Sequence, residues 1–395
     1  MSTRNRIRVD VAIVGGGIAG LWLVNLLRAR GYSAVLIERS AFGDGQTICS
    51  QGMIHGGLKY ALSGALGPAS QAISAMPARW RNCLAGHGEI DLRGVVVLSD
   101  RYYLWSTNNS TLGRLAGFFA SSLLRGRIRR LERSEFPLAF DAPRFSGVVY
   151  ELDELVIDTP SLLACLAETA GDCTLRGDVT AQHLIRNDDG SVAAIRLPEI
   201  EIAASRFLFT AGAGNEALVH ALKVPGPAMQ RRPLKQLILR HPGLPRLYAH
   251  CIEQLTGVEP RLTVTSHLDS RGEWLWYLGG QLASDPVDRS TDEHLLFARA
   301  ELAACLPWLD LSTAPLEPLH IDRAEPLQQH RRRPDEAFVA TVGNVMVCWP
   351  TKLTLAPDLG DKVLAALTIP PTFAAVDKAR FDASRPSVAD APWNR

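Results

Sequence analysis

The run Gly15-Gly16-Gly17-Ile18-Ala19-Gly20 constrains this chain more than any other segment. It stands between an alternating apolar stretch (Val9, Val11, Ile13) and an apolar segment of helical character, and a second apolar stretch, Ala34 to Ile37, then closes on Glu38. Strand, glycine-rich turn, helix, strand and acid in that order make the βαβ unit that holds a dinucleotide. Gly15 permits the tight turn, Gly17 lets the backbone approach a pyrophosphate, and Gly20 allows close helix–strand contact. The helix start at Ile18 and Ala19 offers unpaired N–H groups and the positive end of the dipole to phosphate. Glu38 is placed to accept ribose hydroxyls, with Arg39 beside it. Val24 stands where a small residue usually follows such a motif, which predicts a helix slightly further from the sheet.

Past Glu38, Thr47-Ile48-Cys49-Ser50-Gln51-Gly52-Met53-Ile54-His55-Gly56-Gly57-Leu58-Lys59-Tyr60 mixes hydroxyls, glycines and one histidine with neither helical nor strand periodicity. Such a loop can wrap a flat ligand. Here the sequence resembles the FAD-dependent D-amino-acid oxidase and glycerol-3-phosphate dehydrogenase superfamily, whose Ser- and Gly-rich segment runs under the flavin. The stretch from Ser50 to Tyr60 is closest to the glycerol-3-phosphate dehydrogenase branch. Two later segments extend the resemblance: Phe207-Leu208-Phe209-Thr210-Ala211-Gly212-Ala213-Gly214, and Arg333-Pro334-Asp335 followed by Trp349-Pro350-Thr351-Lys352-Leu353-Thr354-Leu355-Ala356-Pro357. The resemblance implies FAD contacts from Thr47, Ser50, Gln51, Gly52 and Met53, from Val179 at the adenine edge, from Ala211 and Gly212, and from Pro350 through Thr354. Lys352 leans toward the glycerol-3-phosphate branch, since many amine oxidases of the family carry glycine there.

Composition sets limits. A chain of 395 residues, 47% hydrophobic and 21% charged, is large enough for two domains around a shared crevice. A net charge of +1 produces no field for nucleic acid. No apolar run approaches the ~20 residues that span a bilayer. The first ten residues are too short and polar for a secretory signal, so the expected location is the cytoplasm. The 7 cysteines lack Cys-x-x-Cys spacing and read as reduced thiols with no metal site; Cys49 and Cys348 stand within reach of a cofactor or simply pack.

The pattern along the chain predicts an α/β protein in which a Rossmann-like FAD domain with a parallel sheet is interleaved with a substrate domain on a mostly antiparallel sheet plus helices. Residues 1–85, 148–222 and 324–395 are assigned to the first, and residues 86–147 and 223–323 to the second. Residues 68–85 read as an amphipathic helix, residues 93–105 as two strands around Asp100-Arg101, and residues 112–130 as a helix ending in Arg125, Arg127, Arg129 and Arg130. That arginine group is a solvated face or a patch for a membrane surface or acidic partner. Asp158-Thr159-Pro160 signals a helix start. Strands are expected at 234–239, 261–266 and 274–278, a helix at 295–306 and a strand pair within 337–347.

The chemistry expected with FAD is oxidation of a C–N or C–OH bond of a small polar metabolite, an amine or amino acid first, by hydride transfer to flavin N5. Alternatives are a 2-hydroxy-acid or polyol-phosphate dehydrogenase passing electrons to a quinone or other carrier, and a catalytically silent flavin-binding redox sensor; oxygen is the other possible acceptor. Lys352 is either a cation stabilising reduced flavin at N1–C2=O or a surface lysine, although a cation at a helix start opposes the dipole. His55 is a general base, a covalent attachment point as in some relatives, or a structural flavin contact. The resemblance also points to a covalent cysteine ahead of the Pro-Asp pair in some relatives; residues 325–333 hold none, so FAD is expected to bind noncovalently. Candidate pocket groups are Lys235, His250, His267, Trp276 and Tyr277, with Arg232, Arg261, Arg271, Arg323 and Arg331 to Arg333 as cations for a carboxylate or phosphate. The chain ends soon after its last predicted FAD helix, which argues against glycerol 3-phosphate itself.

Overall fold

The computed structural model describes residues 5–57, 68–107, 128–252, 259–285, 287–329, 334–373 and 385–395. Strands and helices are numbered along the chain. The first sheet centres on β1 (Asn5–Val14), which runs parallel to β2 (Ala34–Glu38) on one side and β12 (Ile200–Phe209) on the other. β9 (Thr174–Arg176) continues the parallel set beyond β2, and β19 (Val345–Trp349) joins the end of β12 in parallel. β10 (Leu184–Arg186), β11 (Val192–Arg196) and β18 (Phe338–Val342) add antiparallel pairs. A strand between two parallel neighbours is covered on both faces, so β1 is apolar almost without interruption from Val9 to Val14.

Helix α1 (Ile18–Ala29) packs on one face of that sheet with α3 (Thr159–Ala170) and α7 (Ala356–Ala366). Its closest approach is at Gly20, where an added Cβ would lie 2.0 Å from the Gly15 carbonyl oxygen. Val24 is fully buried in the same core, so the larger residue is absorbed by packing. Asp158 caps α3, its carboxylate accepting the Ser161 N–H at 2.8 Å, with Pro160 in the first turn as the sequence indicates. Helix α2 (Pro68–Leu84) matches the predicted span.

The second sheet holds β5 (Tyr102–Ser106), β6 (Ile128–Arg130), β7 (Val148–Leu152), β13 (Met229–Arg240), β14 (Ala249–Cys251), β15 (Leu262–Leu268), β16 (Trp274–Gly279) and β17 (Leu316–Pro326), in the order β17-β13-β16-β15-β14-β5-β7-β6. It is antiparallel except where β14 meets β5. Helices α4 (Asn215–Ala221), α5 (Gln281–Ser284) and α6 (Thr291–Cys305) complete the described helices. A small third sheet joins β3 (Met53–Ile54), β4 (Val97–Ser99) and β8 (Leu155–Ile157).

The two strands expected around Asp100-Arg101 are present, β4 bonding to β8 and β5 to β7 and β14. One expectation needs correction. Residues 128–130, expected at the end of a helix, form β6 against β7; residues 112–127, with Arg125 and Arg127, lie outside the described residues. Arg129 is neutralised by Glu135 and Glu151 and is no free cation.

Candidate functional site

A cleft of about 2020 Å³ opens between the first and second sheets. At its inner end lie Gly15, Gly16, Gly17, Ile18 and Ala19, then Glu38, Arg39, Val179, Ala211 and Gly212. Gly15 has φ +107°, and a Cβ there would sit 2.6 Å from the Ala211 backbone, so the turn accepts only glycine. Glu38 Oε2 accepts the Gly16 N–H at 2.6 Å and Oε1 the Ser40 N–H at 2.9 Å, which fixes the carboxylate at the edge of the glycine turn. Gly17 caps α1 without a side chain, and no acidic residue occupies the first turn, leaving the positive helix end open to an anion. Gly20 does not line the cleft; its place is helix–sheet contact.

The middle of the cleft is bounded by two segments. One contains Thr47, Ser50, Gln51, Gly52, Met53 and His55; the other runs from Trp349 through Pro350, Thr351, Lys352, Leu353 and Thr354. They are tied directly, Thr354 Oγ1 donating to the His55 carbonyl at 3.2 Å. Gly56 N–H donates to Glu154 Oε1 at 2.9 Å, so a cleft carboxylate braces the same loop. The second segment turns sharply. Lys352 N–H reaches the Pro350 carbonyl at 2.7 Å around Thr351, whose φ of +61° is unusual for a β-branched residue. That γ-turn carries Lys352 inward: the residue is 8% exposed, with Nζ 3.6 Å from Asp335 Oδ1. Lys352 is therefore no surface lysine, and its charge is partly offset by the carboxylate from the preceding Pro-Asp pair. Cys49 and Cys348 both line the cleft, and burial raises both thiols, which keeps them protonated.

The outer wall is the second sheet. Of the five candidate pocket groups only His250 lines the cleft. Lys235 is buried and donates to the Arg289 carbonyl. Trp276 points to the far face, into the core with α6, and donates to the Pro245 carbonyl. Tyr277, on the opposite face as strand alternation requires, has its hydroxyl 2.8 Å from Gln236 Oε1 and 3.0 Å from the Cys49 carbonyl, so it supports the loop that contains Thr47 to His55. His267 stacks against Trp393 at 4.3 Å. Among the arginines, Arg271 belongs to the exposed 269–272 turn, Arg261 is held by Glu301 through two bonds, and Arg331 to Arg333 lie outside the described residues.

Arg232 and Arg323 remain. They face each other across the β13–β17 ladder and both line the cleft. Buried Glu325 lies 2.9 Å from Arg232 and 4.0 Å from Arg323. Both guanidinium groups thus stand at the cleft wall beside one buried carboxylate.

Residues 10–320 match the FAD dependent oxidoreductase family, abbreviated DAO. The chain belongs to that family. It is 46% identical over 385 residues, 97% of each chain, to a probable FAD-dependent oxidoreductase of Pseudomonas aeruginosa. The crystal structure of that relative superposes with a TM-score of 0.84, at 42% identity over 99% of both chains. Glycine oxidase from Geobacillus kaustophilus (TM-score 0.66, 18% identity, 97% and 99% covered) shares the fold. So does L-alpha-glycerophosphate oxidase from Mycoplasma pneumoniae with FAD bound (TM-score 0.67, 15% identity, 93% and 96% covered). FAD is the cofactor of this family member, and the open helix end, the glycine cradle and the held Glu38 suit it. Several cleft residues carry no local sequence signal: Gln236, Thr263, Glu154, Leu104 and Leu152 reach the site from five separate strands or loops.

Proposed function

We propose that this FAD-dependent oxidoreductase oxidises the C–N bond of a small amine or amino acid that carries a carboxylate, with Arg232 and Arg323 binding that carboxylate. The observation that carries the reading is the arginine pair on the cleft wall, since guanidinium groups suit the recognition of a carboxylate. Glycine oxidase and other structural neighbours of the fold act on amino acids, which points the same way. Bound flavin accepts a hydride at N5; the protein's own residues supply orientation, charge and a dry cavity.

In this reading Gly15 to Ala19, Glu38, Arg39, Val179, Ala211 and Gly212 hold the nucleotide, and Thr47 to Met53 with Pro350 to Thr354 enclose the ring, without a covalent link. Buried Lys352 stabilises negative charge on the reduced ring, an effect tempered by Asp335. His55 acts as a flavin contact that braces the loop, since its backbone is already bonded to Thr354. The first sheet forms the FAD domain and the second the substrate domain, with residues 148–152 going with the second sheet.

The test is anaerobic reduction of the bound flavin by amines, amino acids, hydroxy acids and polyol phosphates, followed by absorbance. Bleaching by amino acids supports the reading. Bleaching by polyol phosphates alone overturns it.

A further inference from the structure

On the cleft face of the second sheet a row of residues crosses the strands. Leu319 lies opposite Gln236, Gly279 opposite Thr263, Thr263 opposite His250, and His250 beside Leu104. All of them line the cleft. Gly279 belongs in the row because a Cβ there would meet Gln51 Oε1 at 2.6 Å.

His250 is the titratable group of that row, and two contacts hold its ring. Nδ1 is 2.8 Å from Thr263 Oγ1, and the ring tilts against Tyr102 at a centroid distance of 4.6 Å. With Nδ1 engaged, Nε2 is the nitrogen left to meet a ligand. The cleft there is lined by Leu104, Leu152 and Ile252, with Glu154 and the Arg261–Glu301 pair also on its wall. Burial pushes the imidazole down to about 3, so it is neutral at physiological pH. β14 lies three strands from β13 across the sheet, so a ligand that reaches both His250 and the arginine pair is elongated.

We propose that His250 is a specificity-determining residue that hydrogen-bonds an uncharged polar group, a hydroxyl or an amide, at the end of the substrate remote from Arg232 and Arg323. The physical reason is desolvation. A neutral hydrogen-bonding group held on a wall with apolar neighbours satisfies a hydroxyl and leaves a methyl unrewarded. This inference rests on the carboxylate reading of the arginine pair.

The experiment titrates FAD-loaded enzyme with straight-chain carboxylates of graded length that end in methyl, hydroxyl or a second carboxylate, and follows the flavin absorbance. In the native protein the hydroxyl-ended ligand binds up to about tenfold more tightly than the methyl-ended one, the range of one neutral hydrogen bond. His250→Leu erases the hydroxyl preference while leaving methyl-ended affinity in place, and His250→Gln restores part of it. A native protein that binds all three without preference overturns the role of His250 and leaves the carboxylate reading standing. Native protein that responds to no carboxylate overturns both. Equal weakening of every ligand in His250→Leu and His250→Gln, with parallel loss of FAD, marks a purely structural histidine and also overturns the proposal.

Discussion

Arg232 and Arg323 stand directly opposite each other on neighbouring strands, with the carboxylate of Glu325 buried beside them. Like charges in that position repel, so the ladder depends on the carboxylate. Replacing it by a neutral amide, Glu325→Gln, is expected to cost about 1.5–3 kcal/mol of stability, the scale of a lost charged hydrogen bond. The same variant removes the negative charge that stands beside both guanidinium groups. Urea unfolding and carboxylate titration should therefore move in opposite directions, with lower stability and tighter anion binding.

The glycine turn makes a second prediction. In Gly20→Ala the new Cβ would meet the Gly15 carbonyl oxygen at 2.0 Å and would have to push α1 away from β1. Overpacking of this kind costs about 1–3 kcal/mol or more, and it displaces the helix end from the cofactor. The purified variant should lose FAD, read as the ratio of flavin to protein absorbance, and should melt earlier. Full occupancy would contradict the assigned role of the turn.

Most of the nucleotide half was legible before the structure because its signals are local. The glycines, Glu38 and the Asp158-Thr159-Pro160 helix start each declare themselves within a few residues, and all lie where expected. The substrate wall was not legible, because its relationships are long-range. Nothing near Tyr102 announces that β5 will pair in parallel with β14, and nothing near Arg232 announces Arg323 across the ladder. Trp276 and Tyr277 were equal candidates in sequence; their strand alternates, and neither face position opens on the cleft. Lys352 looked like a residue at a helix start, and only the turn around Thr351 carries it inside.

Lys352→Met should lower the flavin midpoint potential while FAD stays bound. A charge-assisted interaction is worth ~1.5–3 kcal/mol, and Asp335 offsets part of it, so the expected shift is at the low end, about 30 mV for the two-electron couple. A potential equal to that of the native protein would remove Lys352 from the flavin's charge balance.

Stability should also fall in mild acid. His267 is 1% exposed, and burial lowers its imidazole to about 3 from the ordinary value of 6.5. Between those values the unfolded chain binds a proton that the folded protein refuses, so the contribution is fully present above about pH 6.5 and is lost as pH falls toward 3. One such group gives a slope of about 1.4 kcal/mol per pH unit inside that window. His267→Phe, which retains the aromatic contact with Trp393, should flatten the slope between pH 4 and 6 by up to that amount in urea titrations. An unchanged slope would mean that His267 is protonated in the fold.

The most direct test of the substrate assignment compares an amino acid with the amine left by removing its carboxylate, in native enzyme and in Arg323→Met, by anaerobic stopped-flow reduction of the flavin. Native enzyme should reduce faster with the amino acid at limiting concentration, and Arg323→Met should lose this advantage by a factor of about 10–100, the yield of a charged hydrogen bond, while amine rates hold. Equal use of both substrates by native enzyme, or an Arg323→Met variant that keeps the full preference, would contradict it.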